Sequence, residues 1–128
     1  MDYRLAYPSR SLRRFLKSGL PVRAACDQAC DLRLNLRMNA AAAKKIGIRR
    51  RPDSSGLVLI GLTENRRHSP AGSLTVRGKA FRQAIRRLSR VRRAKVQIVS
   101  TVLDSYGWRR AVERRWLTLT SKKPLRRR

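Results

Sequence analysis

The clearest pattern in the chain is a period of two. Leu20, Val22, Ala24 and Cys26 alternate with Pro21, Arg23 and Ala25. Cys30, Leu32, Leu34, Leu36 and Met38 then alternate with Asp31, Arg33, Asn35 and Arg37. Alternation over this length predicts two half-buried strands with arginine on the wet face. Asp27, Gln28 and Ala29 separate the cysteines and fit a tight hairpin loop. Residues 57–62 are a short continuous apolar run, consistent with a buried strand. Leu74 and Val76 mark a short strand entry. Ala94, Val96, Ile98, Ser100 and Val102 alternate again in a long strand. Residues 108–120 form the last strand, with a break in phase at Trp116 and Leu117 that predicts a bulge there.

Three segments carry the helical period instead. Leu12, Phe15 and Leu16 sit between Ser11 and Gly19, which cap one or two turns over 11–18. Asn39 caps an alanine-rich helix over 40–45 that stops at Gly47. In 79–91, Phe81, Ile85, Leu88 and Val91 make one apolar stripe, with Arg82, Arg86, Arg87 and Arg90 on the other faces. Polar turn residues fill 49–56 and 63–73, and residues 104–107 read as a turn. Many short strands with two or three inserted helices predict a mainly β fold, a β-sandwich and not a βαβ fold. The expected organisation is an arm or first strand at 1–10, one sandwich domain at 11–120 and a basic tail at 121–128. A chain of 128 residues suits one domain with its own core.

Charge changes the picture more than composition does. The net charge is +26, from 33 basic and 7 acidic residues. That excess predicts adhesion to polyanions such as nucleic acid or a cell-wall glycopolymer. Arginine supplies 26 of the 33 cations, and it is spread over every segment, which is also what a GC-rich genome would produce. The densest stretch is Arg82, Arg86, Arg87, Arg90, Arg92 and Arg93, on or just after the third helix. Arg109, Arg110, Arg114 and Arg115 form a second group between Trp108 and Trp116, where aromatic rings could stack bases or sugars or pack as core. These ten arginines are the candidate polyanion-binding residues. The competing account is a solvated helix face.

Catalytic chemistry has few carriers. The single histidine, His68, has Glu64 four residues earlier and no nucleophile beside it. The carboxylates are scattered, Asp104 reads as a turn residue, and no pair suggests acid–base work or calcium binding. No glycine run has phosphate-cradling spacing. The expectation is no catalytic residue, no cofactor and no metal site. Cys26 and Cys30 lack further ligands for zinc and the spacing of a catalytic dithiol. Both share the apolar phase, so they read as a disulfide across the loop, with free buried thiols as the competing account. A disulfide would place the chain in an oxidising compartment.

The order of these pieces resembles the immunoglobulin-like or PKD-like β-sandwich domains of secreted and cell-surface proteins in high-GC actinobacteria. The matching stretches are 15–20 (FLKSGL), Cys26 to Cys30, 42–48, 72–76 (GSLTV), 79–93 and 104–110. Trp108 departs from the pattern, where such domains have a small polar residue after the turn glycine. The resemblance implies a non-catalytic accessory domain with an adhesive or spacer role, secreted or at the cell surface. The alternative is an intracellular nucleic-acid-binding protein using arginines in 82–93, 109–115 and 126–128. No run of eighteen apolar residues predicts a transmembrane helix. The start of the sequence shows no apolar signal-peptide core, which keeps a cytoplasmic location open beside export.

Overall fold

A computed structural model describes residues 2–63 and 72–121. The expected polar loop with Glu64 and His68, and the tail with Arg126, Arg127 and Arg128, lie outside the described residues. The fold is mainly β with three short helices. In chain order the elements are β1 (Tyr3–Ala6), α1 (Leu12–Ser18), β2 (Leu20–Cys26), β3 (Cys30–Asn39), α2 (Ala40–Lys45), β4 (Leu57–Thr63), β5 (Gly72–Ala80), α3 (Arg82–Leu88), β6 (Arg93–Asp104) and β7 (Arg109–Thr120).

The strands make one antiparallel sheet in the order β1-β2-β5-β4-β3-β6-β7. The mainly β expectation holds, with the strands in one curled sheet and not in two separate ones; its two halves are β1-β2-β5 and β4-β3-β6-β7. Among the described residues they stay hydrogen-bonded through a ladder of three residue pairs between β4 and β5. Gly61 sits at this corner, where a Cβ would collide with the Lys79 carbonyl and with Leu36. The opposite edges also meet. The Thr120 N–H donates to the Arg10 carbonyl at 2.9 Å, and Tyr7 Oη pairs with Ser100 Oγ at 3.0 Å.

The curl follows from the sequence alternation. Leu20, Val22, Leu32, Leu34, Leu36, Val96, Ile98 and Leu119 all turn inward and are buried in one cluster with Phe15 and Leu12 of α1. Each such side chain contributes roughly 1.5–3 kcal/mol when removed from water. On β2 and β3 the outward positions Arg23 and Arg33 stay exposed.

Four expectations need correction. First, β2 and β3 are not a hairpin: β2 pairs with β1 and β5, whereas β3 pairs with β4 and β6. Residues 27–29 instead carry the chain from one half of the sheet to the other. Second, β5 runs nine residues, because Ser73, Thr75 and Arg77 alternate on its wet face and hide it from an apolar count. Third, its extension to Ala80 takes the first residues expected in the third helix, so α3 begins only after Phe81. Fourth, the β6–β7 register shifts at Val102 and Leu103, not opposite Trp116. The apolar phase breaks earlier in β7 because Glu113 and Arg115 hold inward positions beside Tyr3 and Tyr7, where the two sheet edges meet.

Candidate polyanion-binding surface

The helices close one end of the sheet and gather cations there. Asn39 starts α2 by accepting the Ala41 and Ala42 amides at 2.9 and 3.3 Å, and Lys44 and Lys45 fall in its last turn. Residues 49–51 follow as an arginine loop pinned to α3. The Arg49 amide donates to Gln83 Oε1 at 3.2 Å, and the Arg50 guanidinium lies 4.3 Å from the centre of the Phe81 ring. Arg87 packs against Gly47, so α3 and α2 approach each other through these side chains. Arg82, Arg86, Arg90, Arg92 and Arg93 are exposed around them.

Two grooves flank α2 at this end. One, of about 850 Å³, is lined by Lys44, Arg49, Arg50 and Arg51 over Ile48 and Val58. The other, of about 510 Å³, lies between α2 and the end of α3, with Lys45, Arg93 and Lys95 along it. The segments that build this end, 40–52 and 81–96, contain no carboxylate. Asp53, which follows the first of these segments, is engaged locally. Its Oδ1 accepts from the Ser55 hydroxyl at 2.6 Å, the Ser55 amide at 2.9 Å and the Leu57 amide at 3.1 Å. Its Oδ2 lies 3.3 Å from Arg37. The Ser55 hydroxyl and then the Leu57 amide hold the Asp53 carboxyl below its ordinary value against the opposing effect of desolvation, with smaller help from the Ser55 amide and Arg37.

The ten arginines expected from the sequence do not form one patch. Arg82, Arg86, Arg87, Arg90, Arg92 and Arg93 share the helical end. Arg109 and Arg110 lie at the other end of the β6–β7 ladder, about ten strand residues or roughly 33 Å away. There Asp104 organises the turn by accepting the Tyr106 and Trp108 amides, each at 3.0 Å, and it pairs with Arg110 at 3.4 Å. Arg114 projects from the outer face beside Val99, and Arg115 sits on the inward face, 5.1 Å from the Tyr7 ring centre. Trp108 and Trp116 are likewise separated along β7 and cannot form one stacking platform. Lys44, Lys45, Arg49, Arg50, Arg51 and Lys95 belong to the basic end and were not expected there. The acid-free run over 40–52 is the only sequence signal for the first five, and Lys95 has none, because their neighbours come from distant parts of the chain.

Cys26 and Cys30 are joined as a disulfide with a Cα separation of 6.4 Å. The bridge links two strands that are not neighbours in the sheet. It ties the halves together at the end opposite the helices, where Cys30 pairs with Asp104.

The remaining titratable groups are structural in their surroundings. Burial pushes the Tyr7 hydroxyl above its ordinary value, opposed by its bond to Ser100. A hydrogen bond to Glu113 raises Tyr3. Among the described residues no group of three or more His, Cys, Asp or Glu side chains is placed to hold a metal ion. No helix among them is long and apolar enough to cross a membrane. In comparisons with protein families, curated proteins and solved structures, nothing matches this chain.

Proposed function

We propose that the chain is a non-enzymatic module of a secreted or cell-surface protein, with an adhesive or spacer role, that holds anionic polymers at its helical end. The observation that carries this reading is the convergence of α2, the 49–51 loop, α3 and the start of β6 on one surface that is free of carboxylates among the described residues. Like charges gathered this closely repel one another, which costs stability. A bound polyanion relieves that cost and releases its own counterions. The Cys26–Cys30 bridge supports the extracellular setting, since such bonds persist in oxidising compartments.

Recognition of this kind reads charge density and not chemistry. Poly(glycerol phosphate), heparin and single- or double-stranded DNA are therefore expected to compete for the protein with affinities that follow their charge spacing. All should fall steeply with salt, by roughly 0.7–0.9 of a counterion per neutralised phosphate on nucleic acid. A competition titration at two salt concentrations checks this. A preference for one nucleic acid that survives added salt contradicts the reading and favours an intracellular nucleic-acid binder.

A further inference from the structure

The groove between α2 and the end of α3 differs from the rest of the basic end in its floor. Met38, Ile46, Leu88 and Val91 line it with apolar surface, and Ala42 and Ala94 leave it open. Lys45, Arg93 and Lys95 stand along its rim, and Trp116 forms a wall with the Lys95 ammonium 5.4 Å from its ring centre. Trp116 is 41% exposed. Among the described residues no carboxylate lines the groove. Its volume of about 510 Å³ falls within the roughly 300–1,000 Å³ range of small-molecule sites.

We infer that this groove binds a single-chain amphiphilic anion, an alkyl or aryl tail carrying one phosphate, sulfate or carboxylate head. The tail lies against the partly exposed Ile46, Val91 and Trp116 side chains, above the buried Met38 and Leu88, and excludes water from them, which is favourable in proportion to the apolar area covered. The head meets Lys45, Arg93 and Lys95 at the rim, where water still reaches them. A purely polar anion gains nothing from the floor, and a cationic amphiphile meets three like charges. Residues 122–128 are themselves basic and do not complement the rim. The groove shares Lys45, Arg93 and Lys95 with the polymer-binding surface, but the inference does not depend on polymer binding.

The test uses the full chain carrying Trp108→Phe, which leaves Trp116 as the sole tryptophan. Trp108 is 71% exposed, so its loss leaves the core intact. Decyl phosphate, below its micelle concentration, should saturate one site per chain and shift the Trp116 emission to the blue. Inorganic phosphate and decyltrimethylammonium should produce neither effect. Ala42→Phe fills the groove without changing charge and should weaken decyl phosphate at least tenfold, while heparin affinity is retained. Arg93→Gln and Lys95→Gln provide variants that leave the floor unaltered. Each should weaken decyl phosphate about twofold to fivefold, as expected for an exposed ion pair. Equal binding of decyltrimethylammonium, or of decyl phosphate by the folded Ala42→Phe protein, would overturn the inference. Preference for anionic vesicles over the monomeric amphiphile would also overturn it. Loss of heparin binding with decyl phosphate binding intact would count against the polymer reading alone.

Discussion

Single residues decide how the curled sheet holds its shape. Gly61 allows the β4–β5 corner because nothing larger fits between the Lys79 carbonyl and Leu36. Gly61→Ala should destabilise the protein by about 1–3 kcal/mol, the usual cost of overpacking, and a denaturant titration measures it. The disulfide acts at the opposite end. Replacing Cys26 and Cys30 together with alanine should cost roughly 2 kcal/mol, the chain-entropy value for so short a loop. Unreduced, unfolded native protein should show no titratable thiol, and two would remove the bridge. The phase of both cysteines was legible in the sequence, and so was their pairing. That the pair joins strands from different halves was not, because alternation specifies which face is buried and is silent on which strand lies alongside.

At the scale of elements, the helix caps were the most readable features. Ser11, Asn39 and Gly19 bound α1 and α2 as their side-chain and backbone chemistry requires. Elements whose apolar residues are sparse were harder. β5 shows little beyond Leu74 and Val76, and its length comes from pairing along the whole of β2. The candidate site suffered from the same limit. The arginines of α3 stood out as a run, but their partners in residues 44–51 are brought beside them only by the fold. The Asp53 turn holds that loop in place. Because its carboxyl is held below its ordinary value, Asp53 contributes stability above the unfolded value. That contribution is lost as pH falls through the lower, folded value. A carbon-detected NMR titration should place the Asp53 midpoint below the ordinary carboxylate value of 3.8. Asp53→Asn should abolish that titration and release the Arg37 pair. A midpoint at or above the ordinary value would contradict the local geometry.

For the whole molecule, the net charge of +26 alone predicts only indiscriminate attraction. The fold adds a location, because it separates the cations of the helical end from those beside the Asp104 turn by roughly 33 Å along β6 and β7. The central claim is that polymer binding belongs to the first group. The direct test compares Arg50→Gln/Arg86→Gln/Arg90→Gln with Arg33→Gln/Arg109→Gln/Arg110→Gln, two variants of equal net charge, Arg33 lying opposite Thr101 near the Asp104 turn. Heparin affinity is measured for each across a range of salt. The account predicts that the helical-end variant binds more weakly and with a flatter salt dependence, whereas the second variant stays close to the parent protein. Equal losses in the two variants would mean that total charge governs binding, and would contradict a located surface.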